Sequence, residues 1–129
     1  MKYLLVLVML IASPAWAEWT LIGSNDEFTQ YIDIATIRRN GNFVKIWSLP
    51  DNKRVITSPS SGISYLSEKS YWEYDCKEGR SRVLAFTWFS GQMGNGTVVY
   101  SNSETSMKWF PVQPGSMGET LGKIACGKF

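Results

Sequence analysis

The chain contains no histidine. Histidine is the commonest general base, the usual partner of an activated nucleophile and the most frequent metal ligand. Its absence removes the usual catalytic and metal-binding constellations together. Cysteine is scarce, with Cys76 and Cys126 alone. They lack the C-x-x-C spacing that lowers a thiol pKa, which argues against a redox-active pair. Neither sign of charge dominates: 13 Lys and Arg face 11 Asp and Glu, a formal net charge of +2 at pH 7. That is not the strongly basic footprint of a nucleic-acid binder. After residue 17 no apolar run is long enough to span a bilayer. There is no internal repeat and no low-complexity tract.

The N-terminus is the first positive signal. MKYLLVLVMLIASPAWA places Lys2 before an apolar run and ends on Ala15-Trp16-Ala17. A positive start, an apolar middle and a small-x-small exit form the layout of a cleaved secretory signal. The apolar stretch, about ten residues, is short for a membrane anchor. Cleavage after Ala17 is expected, leaving residues 18–129 as one domain with one modest core. No cysteine follows that site, so no lipid anchor is available there. In an exported chain two cysteines are expected to pair rather than stay as free thiols. The closed loop of about 50 residues would contribute roughly 4 kcal/mol on the chain-entropy model.

The rest reads as strands. Residues 18–23 form a first short strand, 24–27 a turn and 28–32 a second strand. Asp33 then sits at a bend or a single helical turn, and the bend is preferred. A strand follows through Arg39. Asn40-Gly41 suits a type I′ hairpin, in which both central residues need positive φ. Residues 43–49 form the next strand, ended by Pro50-Asp51-Asn52. The polar stretch 51–62 is the longest expected loop. A three-stranded antiparallel meander then fills residues 63–100, turning at Lys77-Glu78-Gly79 and Met93-Gly94-Asn95-Gly96. In its first strand Leu66, Trp72, Tyr74 and Cys76 share one face, interrupted by Glu68 and Ser70; Tyr65, Lys69, Tyr71, Glu73 and Asp75 share the other. In its second, Val83, Ala85 and Phe89 oppose Arg82, Leu84, Phe86 and Trp88. Neither face of that strand is cleanly polar, so the terminal segment or a second subunit is expected to cover part of it. Residues 109–115, with two prolines, are extended. Ser116-x-x-Glu119 is a capping box. The helix it opens carries Met117, Leu121, Ile124 and Ala125 as its apolar stripe and ends by Ala125, with Gly127 as the exit.

Taken together, Tyr31-Ile32-Asp33, Thr36-Ile37-Arg38, Gly41 through Trp47, Glu73-Tyr74-Asp75-Cys76, Phe89-Ser90, Met93-Gly94, Trp109, Pro114-Gly115-Ser116 and Ala125-Cys126 resemble the surface-adhesin protein E family of Gram-negative bacteria. The order and spacing agree over residues 18–126. The resemblance implies an α+β fold: a single six-stranded antiparallel sheet with a C-terminal helix fastened to it by a disulfide. It also allows a homodimer. The founding member is a lipoprotein that binds host matrix and serum proteins. This chain departs from it in lacking the lipid-acceptor cysteine. The expected place is therefore the periplasm or the cell surface, reached by export and without a lipid anchor.

The functional expectation is a non-enzymatic module that engages a protein, with no cofactor and no nucleic acid. The alternative is a periplasmic envelope-interaction or inhibitor protein. Two features favour it: the missing lipid site, and Ser61-Gly62-Ile63-Ser64-Tyr65, a Ser-Gly-x-x-Tyr run like that of small lysozyme inhibitors. Glu73 and Asp75 form the only carboxylate pair with a geometry suited to acid–base work. Their plainer reading, solvated charge balanced by Lys77, Arg80 and Arg82, is preferred. Aromatic side chains make up 14% of the chain. Trp47, Tyr71, Phe86 and Trp88 lie on strands and are the candidate partner-binding residues, since exposed aromatics dominate protein interfaces. Their alternative use is core packing or a dimer interface.

Overall fold

The computed structural model describes residues 18–104 and 108–127. The expected signal segment, residues 1–17, lies outside the described residues. The strands are β1 (Thr20–Ser24), β2 (Phe28–Asn40), β3 (Phe43–Thr57), β4 (Ser64–Asp75), β5 (Arg80–Phe89), β6 (Val98–Asn102) and β7 (Phe110–Pro111); the helix is α1 (Met117–Cys126). Strands β1 to β6 pair antiparallel in chain order, and the two-residue β7 adds to β5 at Arg80 and Ser81. The fold is the expected six-stranded sheet with one C-terminal helix.

Directly opposed residues of an antiparallel pair share a face. Val44 stands opposite Tyr74 and Ile46 opposite Trp72. This face receives α1, and Ile32, Val44, Ile46, Tyr74, Leu121, Ala125 and Cys126 form the buried core. The other face carries Phe43, Lys45 and Trp47 opposite Asp75, Glu73 and Tyr71. The segment before α1 runs round the β5 edge. It leaves Trp109 over Arg80 and Arg82 on that second face and packs Val112 against the core on the first. The terminal segment thus covers part of the second face, as expected.

Four local expectations are corrected. The β2–β3 loop is Gly41-Asn42, with Asn40 paired to Phe43. Gly41 has φ +64° and Asn42 is not positive, which fits a glycine-first type II′ turn rather than type I′. Strand β3 does not end at Pro50 but continues to Thr57. Asn52 pairs with Phe28 on one side, and Ile56 and Thr57 pair with Tyr65 and Ser64 on the other. Pairing on both flanks carries the ladder through a polar sequence and reduces the expected long loop to residues 58–63. Strand β5 bulges: Tyr71 faces Ala85 while Trp72 faces Val83, leaving Leu84 as the extra residue. The bulge moves Val83 onto the face of Phe86 and Trp88, and Arg82 onto the face of Ala85 and Phe89. Finally, α1 includes Cys126 and buries Leu121, Gly122, Ala125 and Cys126, while Ile124 is 40% exposed. The Cys76–Cys126 disulfide turns the buried face toward the cysteine.

Side chains close the irregular places. The expected bend at Asp33 appears as a register break inside β2. The Asp33 carboxylate accepts the Ala35 N–H at 3.2 Å, and Thr36 Oγ1 accepts the Trp47 N–H at 3.0 Å. At the start of α1, Ser116 Oγ accepts the Glu119 N–H at 3.1 Å. Glu119 reaches back to the Gly115 N–H, also at 3.1 Å, one residue before the usual capping-box donor. At the other end Arg39 Nη2 donates to the Cys126 carbonyl at 3.0 Å, which places a cation at the negative helix end.

Candidate interaction surface

The four candidate aromatics fall into two pairs on opposite faces. Trp47 and Tyr71 are cross-strand neighbours, stacked with centroids 4.7 Å apart. They lie on the face away from α1. Phe86 and Trp88 lie on the helix side, two residues apart on β5 with centroids at 5.6 Å. The structure does not bring the four into one site.

Around Phe86 and Trp88 it assembles a larger cluster. Tyr100 of β6 stands opposite Trp88, with ring centroids 5.2 Å apart, and lies 5.8 Å from Phe86. Tyr65 stacks on Trp88 at 4.2 Å with planes 9° apart. Tyr65 therefore reaches the helix-side face, against the alternation expected for β4. It lies beside the β3–β4 register break between Asp51 and Ile56. All four rings are partly exposed, Tyr100 by 39%. The helix packs on β1 to β4 and stops short of this end of the sheet.

Under the rings lies Glu68, opposite Trp88 on β4. Trp88 Nε1 donates to its Oε1 at 2.9 Å, and Ser70 Oγ donates to its Oε2. Burial pushes the Glu68 carboxyl above the usual carboxylate range, against the pull of these two donors. Tyr65 is pushed up as well, by burial and then by the Glu68 charge beside it. Among the described residues no Lys or Arg lies within ion-pair distance of Glu68. Lys69, its neighbour in sequence, points to the other face and lies over Phe89 at 5.3 Å.

The opposite face resolves its charges internally. Glu73 pairs with Arg82 at 2.7 Å and Asp75 with Arg80 at 2.9 Å. The preferred reading of these carboxylates was right about the arginines and wrong about solvation, because Glu73 is 8% and Asp75 3% exposed. Burial opposes ionisation of Asp75. The Glu78 and Lys77 N–H groups and the Arg80 guanidinium outweigh it and hold the carboxyl below its ordinary value. Trp109 roofs both pairs, with Arg82 4.4 Å and Arg80 4.8 Å from its ring centroid. Both carboxylates are thus occupied by structural partners. Among the described residues no three His, Cys, Asp or Glu side chains are grouped to hold a metal.

The Ser-Gly-x-x-Tyr run is split. Ser61 and Gly62 lie exposed in the β3–β4 turn, while Tyr65 is drawn into the Trp88 stack. Sequence reasoning missed Glu68, Tyr65 and Tyr100 as members of the cluster. The alternation of β6 is visible in the sequence, but its register against β5 is set by the loop 90–97. That loop folds back so that Gly94 N–H donates to Ser67 Oγ at 2.9 Å and Met93 N–H to Asp51 Oδ1 at 2.9 Å.

These features define a small antiparallel-sheet module with a disulfide-tethered helix and an aromatic end that no described element covers. The chain belongs to the surface-adhesin protein E family, whose model matches residues 19–127. Membership places it among adhesin-like surface proteins. Crystal structures of Haemophilus influenzae protein E are similar in fold. One matches with TM-score 0.63 at 13% identity, covering 89% of this chain and 88% of that one. A second crystal form matches with TM-score 0.65 at 12% identity, covering 95% and 97%. Protein E from a non-typeable strain matches with TM-score 0.61 at 13% identity, covering 89% and 79%. No curated protein matches the chain. Among the described residues no helix is long and apolar enough to cross a membrane.

Proposed function

We propose that this chain is an exported, non-enzymatic binding protein that engages a protein partner at the cell envelope or host surface. The observation that carries the reading is the partly exposed cluster of Tyr65, Phe86, Trp88 and Tyr100, which no described element covers. Partly exposed tyrosine and tryptophan offer a large contact area at small entropic cost, which is why they anchor protein interfaces. Family membership supports an adhesin-like role and an exported location. The signal-like start, with cleavage after Ala17, supports export and delivery of residues 18–129 as one domain. Trp47 and Tyr71 form the lesser surface, stacked flat on the opposite face. They are the place where a second copy of the chain would add a contact.

Protease treatment of intact cells, repeated after opening the outer membrane, tests the reading together with binding to a panel of matrix and serum proteins. Cleavage on intact cells with saturable binding to a panel member is the expected result. Protection until the outer membrane is opened, with no panel binding, overturns the host-surface role. It moves the protein to the periplasmic alternative, in which the exposed Ser61-Gly62 turn faces an envelope partner.

A further inference from the structure

The sheet's carboxylates are satisfied in different ways. Glu73 and Asp75 each hold an arginine, and Asp33 and Asp51 accept main-chain N–H groups. Glu68 is the exception. It is largely buried, takes only the neutral donors of Trp88 and Ser70, and is ringed by partly exposed aromatics. A carboxylate offers about four acceptor positions, so two remain. Its uncompensated charge costs solvation that a cation would restore. The rings around it are themselves attractive to a cation through their π-faces.

We propose that the Tyr65–Phe86–Trp88–Tyr100 cluster with Glu68 is a receiving site for a basic side chain of the protein partner, arginine before lysine. Arginine fits better because its guanidinium stacks flat on aromatic rings while its edge hydrogen-bonds a carboxylate. The inference deepens the protein-binding reading and rests on it. It adds the chemistry of what the surface selects: an extended basic segment, set against a chain whose own net charge is small.

The test uses 15N-labelled protein and two octapeptides, one with alternating arginine and glycine, the other with citrulline in place of arginine. The readout is the Trp88 indole N–H resonance, assigned with Trp88→Phe. The arginine peptide is expected to shift that resonance saturably. The citrulline peptide, and the arginine peptide on Glu68→Gln, are expected to bind about tenfold more weakly or worse, as loss of a charge-assisted hydrogen bond implies. Equal shifts with both peptides, no shift at Trp88, or a shift confined to the Trp47 indole would overturn the proposal. The citrulline comparison needs only the native protein, so the test stands even if Glu68→Gln fails to fold. If panel binding is lost in a Trp88 variant but unchanged in Glu68→Gln, the basic-side-chain inference fails and the protein-binding reading survives. If the arginine peptide binds at Trp88 and no protein partner does, the site inference survives and the broader reading fails.

Discussion

Two carboxylates on β4 make opposite contributions to stability, and pH separates them. Glu68 has a folded pKa above its unfolded value, so its cost is absent in acid and grows as pH rises through that window. Glu68→Gln removes the cost. Its melting temperature relative to the native chain is expected to be highest at neutral pH and to fall toward pH 3. Asp75 has a folded pKa below its unfolded value, so its stabilisation is complete above the ordinary carboxylate range and is lost as pH falls through the folded pKa. Asp75→Asn is expected to destabilise by about 1–3 kcal/mol at neutral pH, the cost of leaving buried donors unmet, and by less in acid. Thermal melts across pH check both. Gaps that do not change with pH would contradict the assignments. At this scale the sequence revealed that Glu73 and Asp75 face basic residues across a turn. It did not reveal their burial, because the roof over them, Trp109, is 34 residues distant from Asp75 along the chain.

At the scale of elements, the alternation of apolar and polar residues was enough to find the strands, and Ser116 and Glu119 were enough to find the helix start. The breaks in register were not legible. Contacts between residues apart in sequence accompany some of them, such as Thr36 with the Trp47 N–H and Ser67 with the Gly94 N–H. A bulge reverses which face every later side chain occupies, so the candidate site was misassigned in the same places. Strict alternation puts Arg82 with Phe86, and the bulge separates them; it puts Tyr65 with Tyr71, and Tyr65 instead stacks on Trp88. The helix orientation was misread by one position for a related reason. Leu121 and Ala125 of the expected stripe are buried, but the bond at Cys126 brings that residue into the buried face and leaves Ile124 outside it. That bond closes a separation of 50 residues, so Cys76→Ser or Cys126→Ser should cost about 2–4 kcal/mol. The expected drop in melting temperature is on the order of 10 °C or more for a domain of this size. A drop within two or three degrees would mean that sheet contacts alone hold α1. Tyr74 Oη donates to the Gly118 carbonyl at 2.9 Å, a second tie between sheet and helix. Tyr74→Phe should lose about 1 kcal/mol by denaturant melt, and no loss would mean that the tie carries no net stability.

For the whole molecule, the division of labour follows from where α1 stops. One half of the helix-side face is core, sealed by the helix and its disulfide. The other half presents Tyr65, Phe86, Trp88 and Tyr100 over Glu68 without cover from a described element. The back of the sheet is bound up in the Arg80, Arg82 and Trp109 layer, with the Trp47–Tyr71 stack beside it. Partner recognition therefore belongs, on the proposed reading, to the helix-side aromatic end. The most direct test is binding of the native protein to its panel partner, compared with Trp88→Ala/Tyr100→Ala and with Trp47→Ala/Tyr71→Ala, each checked for its fold by circular dichroism. The first double variant is expected to lose binding by roughly a hundredfold, the scale of interface hot spots, while the second stays within a few-fold of native. Equal losses in both, or a loss confined to the Trp47→Ala/Tyr71→Ala variant, would contradict it and place the contact surface on the other side of the sheet.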